Sequence, residues 1–163
     1  MRRLSALLLG FFALTVECLE GGSGTRGGAV SSSAAVAGAR RLRFGNKSGE
    51  FKILQVADMH YADGKETGCL DVFPEQLPIC SDLNTTAFIY RVIRAENPDF
   101  IVFTGDNIFG SDSKDAAQSL NAAFEPAVKL KLPWAAVIGN HDQEGTLSRE
   151  AVMRHIVGMN HTL

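Results

Sequence analysis

Apolar residues collect in three nearly continuous runs: Phe51-Lys-Ile-Leu-Gln-Val-Ala57, Phe100-Ile-Val-Phe-Thr104 and Trp134-Ala-Ala-Val-Ile138. Short runs without alternation predict strands covered on both faces, as in a parallel sheet. Between and after them the period lengthens. Phe88, Ile89, Val92 and Ile93 recur at helical spacing, and Asn97-Pro98 ends that helix, because the residue before proline is pushed out of the α region. Ala116, Ala117, Leu120, Phe124 and Val128 predict a second helix, started by Asp112 or Ser113. Pro126 is expected to kink it or end it early, since proline has no N–H to donate. Ser148 is placed to cap a third helix, with Glu150 near its N-terminus and Ala151, Val152 and Ile156 inside. The order β-α-β-α-β-α predicts an α/β fold with a parallel sheet, whose ligand crevice lies beyond the carboxyl ends of the strands.

The first 50 residues have another texture. Arg2 and Arg3 precede an apolar stretch from Leu4 through Val16. It is about 13 residues long, against the roughly 20 needed to cross a bilayer. Residues 1–18 are read as a secretory signal peptide, and a stable membrane anchor is not expected. Residues 19–50 are Gly, Ser and Ala with scattered Arg and read as a flexible low-complexity linker. Arg40, Arg41 and Arg43 fall in it and are read as solvated. The net charge of −2 gives no electrostatic footprint for nucleic acid.

Secretion, to the extracellular space or the vacuole, changes how the cysteines are read. Cys18 leaves with the signal or sits at its edge. Cys69 and Cys80 are expected to pair in an oxidising compartment, stabilising by about 2–3 kcal/mol through the loop they close. Two free thiols are the alternative if the signal reading fails. Asn46, Asn84 and Asn160 each begin an Asn-x-Ser/Thr glycosylation pattern. Asn84 also stands where a helix begins and has capping as its other reading.

Each apolar run leads into a polar motif: Asp58-Met-His60, Gly105-Asp106-Asn107 and Gly139-Asn140-His141-Asp142. Singly, such motifs are read most simply as turns or helix caps. Together, at three consecutive strand ends, they bring carboxylates, an amide and imidazoles to one crevice. Asp58 and His60 are one residue apart, so after a strand both are expected to point to one metal. Asp106 is placed to bridge two cations. Asn140 offers a neutral oxygen to the second, and His141 can donate a proton or stabilise a phosphoryl oxygen. His155 and His161 are read as exposed or structural. No Gly-x-Gly-x-x-Gly or Walker-type loop follows the first strand, which argues against a nucleotide-binding domain.

The three motifs resemble the signature of the calcineurin-like metallophosphoesterases. Cys80-Ser-Asp-Leu-Asn-Thr-Thr86, Phe103-Thr-Gly-Asp-Asn-Ile-Phe-Gly110 and Ile138-Gly-Asn-His-Asp-Gln143 are similar more narrowly to the plant purple acid phosphatases described as inactive. The resemblance runs from Phe51 to the end and covers the first part of the family domain, an α/β/β/α sandwich. It implies hydrolysis of a small phosphate ester at a dinuclear centre of zinc, manganese or iron, with a metal-bound hydroxide as nucleophile. It assigns Asp58 and His60 to the first metal, Asp106 to the bridge, Asn140 to the second metal and His141 to proton donation. Phe109 stands where the coloured members of the group have a metal-binding tyrosine. The family's further histidines come from a later part of the domain, so weak metal binding and an inactive chain are expected of these residues alone. The alternative is a non-catalytic secreted glycoprotein that keeps the half-site as a relic.

Overall fold

The computed structural model describes residues 13–15, 42 and 49–163. Most of the expected signal and linker, with Cys18 and Asn46, lies outside the described residues. Four strands, β1 (Ala13–Thr15), β2 (Lys52–Val56), β3 (Phe100–Thr104) and β4 (Trp134–Val137), form one sheet in the order β1-β2-β3-β4. β2, β3 and β4 are parallel, with Leu54 opposite Ile101 and Ile101 opposite Trp134. β1 falls within the expected signal and lies antiparallel on the outer edge of β2, with Leu14 opposite Ile53. A sheet edge offers open N–H and C=O groups to any extended segment, a match that apolar periodicity does not announce.

Three helices, α1 (Asp82–Glu96), α2 (Ala116–Lys129) and α3 (Arg149–Val157), alternate with the parallel strands. α1 begins in a capping box. The Ser81 hydroxyl accepts from Leu83 N, and Ser81 N donates to Asn84 Oδ1, so Asn84 closes the box from inside the helix. The helix stops at Asn97, which takes the left-handed conformation at φ 46° just before Pro98. Ser148 caps α3 by accepting from Ala151 N.

α2 departs from the expectation twice. Its cap is Asp115, which accepts from Ala117 N and Gln118 N, whereas Asp112 closes a separate 3₁₀ turn. Pro126 does not end it early, for the helix runs on to Lys129. The proline ring is fully buried, so apolar burial offsets the missing hydrogen bond near the end of the helix.

The core lies between the sheet and the helices. Trp134, Phe103 and Phe124 are fully buried; the Phe124 and Trp134 rings stack at 4.6 Å and Phe103 meets both edge-on. Such pairs add to the stabilisation given by area alone. Trp134 Nε1 donates to Asn160 O, which satisfies the one polar atom of that ring system. The core holds the three parallel strands in register and so fixes where their carboxyl ends emerge.

The connection from β2 to α1 carries the disulfide Cys69–Cys80, with Cα atoms 5.4 Å apart. Its loop turns apolar side chains outward: Leu70, Phe73 and Ile79 are 64%, 69% and 78% exposed. Among the described residues no helix is long and apolar enough to cross a membrane.

Candidate metal centre

Beyond their last sheet pairs, the chains leaving β2 and β3 stay hydrogen-bonded. Asp58 N donates to Gly105 O, His60 N to Asp106 O and Tyr61 N to Asn107 O. Phe109 N donates back to Tyr61 O at 2.8 Å. This zip keeps the first two motifs side by side. One donor atom from each of Asp58, His60 and Asp106 falls within 4.8 Å of the others. His60 Nε2 is 3.8 Å from both Asp58 Oδ1 and Asp106 Oδ2.

The route to that convergence differs from the extended alternation expected of Asp58 and His60. Both are left-handed, at φ 53° and 46°, and Asp106 joins them at 48°. A non-glycine residue there is disfavoured by about 1–2 kcal/mol, though short polar side chains tolerate it better. The backbone is thus coiled to aim two carboxylates and an imidazole at one point.

Glycine and a buried acid hold the third motif against the second. A Cβ on Gly139 would stand 2.1 Å from Asp106 Oδ1 and 2.4 Å from Asp106 N. Only glycine admits that approach, which lets His141 N donate to Asp106 Oδ1 at 3.0 Å. Asp142 is fully buried and accepts from Gly139 N, Ile108 N and Asn107 Nδ2. Burial pushes its carboxyl above the usual aspartate value, and the backbone donors at Ile108 and Gly139 pull the other way. Sequence reasoning quoted Asp142 as part of a motif and gave it no role. Its signal is the neighbouring strand end, where Asn107 also becomes buried.

Asn140 opens the 3₁₀ turn His141–Gln143 and is exposed. The His141 ring lies 5.1 Å from that of His60 and 4.7 Å from that of Phe109. Phe109 therefore packs as an apolar wall beside both imidazoles. His141 Nδ1 is 2.7 Å from Glu144 Oε2, a partner that sequence reasoning missed. His155 bonds Asn121 across α2 and α3, and the His161 carbonyl accepts from Trp134 N.

The donor set fits a cation. Two carboxylates held close repel one another unless positive charge lies between them, and carboxylate with imidazole suits divalent zinc, manganese or iron. A groove of about 770 Å³ lies between residues 61–66 and α2, and Asp58, His60 and Asp106 do not line it. Its one lysine, Lys114, is paired with Glu66 and Asp63.

The calcineurin-like phosphoesterase family profile matches residues 51–160. The chain is 60% identical over 134 residues to probable inactive purple acid phosphatase 29 of Arabidopsis thaliana, a match covering 82% of this chain and 34% of that protein. It is 53% identical over 127 residues to probable inactive purple acid phosphatase 14 of the same plant, covering 77% and 31%. Phosphatase DCR2 of Saccharomyces cerevisiae is 42% identical over 113 residues, covering 69% and 19%. The chain thus spans about a third or less of the length of these curated relatives. No solved structure matches it.

Proposed function

The chain belongs to the calcineurin-like phosphoesterase family, and from that premise we propose that it is a metal-dependent hydrolase of small phosphate esters, built on a purple acid phosphatase-like half-site. The observation that carries this reading is the convergence of Asp58, His60 and Asp106 donors within 4.8 Å, with the His141 ring alongside. Asp58 and His60 would hold one cation, Asp106 would bridge to a second, and Asn140 would add its amide oxygen there. When bound, the cations would polarise the phosphoryl oxygens and lower the pKa of a water. His141 delivers a proton to the departing ester oxygen as the P–O bond breaks. Phe109 offers no phenolate, so zinc or manganese is favoured over a coloured iron centre.

The supporting test is metal content and hydrolysis measured on the same purified chain. Bound zinc or manganese, p-nitrophenyl phosphate turnover, and loss of both in Asp106→Asn are the expected results. A metal-free chain that turns over no ester in added zinc or manganese refutes the activity.

A second reading is a non-catalytic secreted glycoprotein with a relic half-site, and its non-catalytic part is favoured by the two Arabidopsis relatives being named probable inactive purple acid phosphatases. For either reading the secretory route is supported by the Cys69–Cys80 bond and by exposed Asn84 and Asn160. The Asn84 Oδ1 atom is committed to the capping box, which leaves Nδ2 for a glycan.

A further inference from the structure

We propose that Glu144 is a positioning residue for His141: its carboxylate commits Nδ1 to the proton it carries and makes Nε2 the nitrogen that serves a substrate. This rests on the reading of His141 as proton donor and deepens it.

The pairing follows from local geometry. In a 3₁₀ turn, side chains three residues apart eclipse. The turn His141–Gln143 therefore brings Glu144 over His141, with Glu144 N donating to His141 O and the carboxylate 2.7 Å from Nδ1. An ionised carboxylate only accepts, so the Nδ1 side of the contact must carry the proton. Nε2 of His141 has no hydrogen-bond partner among the described residues.

The turn is held from two sides. Asp142 anchors it from the buried side through Gly139 N and Ile108 N. Gly110 packs so closely that a Cβ there would meet His141 O and Gly145 N, each at 2.7 Å. Phe109 limits ring rotation from the side, at 4.7 Å. The Glu144 side chain is 39% exposed, so the pair adds little stability, and orientation is what it supplies. In the reaction, water's oxygen bonds to phosphorus as the ester P–O bond breaks, and Nε2 passes a proton to the leaving oxygen. The ring ends neutral with the proton still on Nδ1.

The test needs no metal and no catalysis. Long-range proton–nitrogen correlation on the metal-free full chain, labelled with ¹⁵N-histidine, reads which nitrogen of His141 is protonated. His141→Asn identifies the signal. The wild-type ring is expected as the Nδ1–H form, and Glu144→Ala should make the Nε2–H form dominant. An Nε2–H ring in the wild type, or an unchanged Nδ1–H ring in Glu144→Ala, overturns the proposal. Glu144→Met, which is close in volume and offers no oxygen acceptor, replaces the alanine variant if that one fails to fold. In turnover, Glu144→Ala should lower kcat about tenfold or more for glycerol phosphate, a poor leaving group, with KM unchanged. p-Nitrophenyl phosphate, which leaves without help, should change less than about twofold. Equal losses on both esters count against positioning. A wild-type chain with the Nδ1–H ring and no turnover refutes the hydrolase reading and leaves the pair standing.

Discussion

The cradle built from residues 58–61, 105–110 and 139–145 and the loop closed by Cys69 and Cys80 both depend on the chain leaving β2, and they are held by different means. In the cradle, backbone N–H groups from separate strand ends donate into carboxylates: His141 into Asp106, and Gly139 and Ile108 into buried Asp142. Inside the loop the bonds are local, such as Gln76 N to Phe73 O, and its ends are joined by the disulfide together with the backbone bond from Cys69 N to Cys80 O. The difference lies in where the side chains are left. Hydrogen-bonded closure fixes the cradle backbone closely enough to aim ligands, while a disulfide frees its loop to expose Phe73 and Ile79. Asp82 touches both regions. It follows the loop and accepts from Ala62 N and Gly64 N, just after His60.

The comparison breaks most visibly at Gly139. Gly139→Ala drives a methyl group into the backbone and carboxylate of Asp106, so about 3 kcal/mol of stability should go, together with metal uptake. Thermal unfolding and metal titration of the same sample read both losses; a variant that still takes up metal would show that the close approach is dispensable. The paired Cys69→Ser and Cys80→Ser variant should lose about 2 kcal/mol and keep its metal affinity, because the cradle has its own hydrogen bonds. Metal affinity that falls with the disulfide would merge the two regions into one unit.

Asp82→Asn is the smallest and sharpest probe. Burial raises the Asp82 carboxyl above the ordinary aspartate value of 3.8, against the pull of its Ala62 and Gly64 donors. The folded chain therefore keeps that proton more tightly than the unfolded chain. As pH rises from 3.8 through the folded value, ionisation in the buried site removes stability, and the loss is complete above it. The amide cannot ionise, and its oxygen can still accept from both donors, which meet one oxygen, Oδ2. Wild type should lose ground to Asp82→Asn as pH rises across that window in denaturant titrations. A constant difference would mean that the carboxyl is solvated after all.

The strands were legible because β2, β3 and β4 are nearly continuous apolar runs, α3 because its cap Ser148 stands beside a periodic face, and α1 from its periodicity and Asn97-Pro98, although its cap is Ser81 and not Asn84. The start of α2 was ambiguous because Asp112, Ser113 and Asp115 are all competent caps, and only the fold selects Asp115. Pro126 misled because its backbone penalty is local while its burial is tertiary. In the site, the metal-ligating residue types were readable from the motifs, but their aim was not. Left-handed Asp58 and His60 depend on pairing with residues 105–107, far along the chain. Asp142 and Glu144 gain their roles from a buried neighbour and a 3₁₀ turn, neither of which a motif encodes.

The left-handed trio of Asp58, His60 and Asp106 bears on the choice between enzyme and relic. Each residue is strained in the apo chain, and glycine at any of the three would adopt the same backbone without that penalty. A scaffold released from its chemistry gains by relaxing there, through substitutions that touch neither core nor sheet. This chain has a polar residue and not glycine at all three positions, so the strain falls where three carboxylate and imidazole side chains meet.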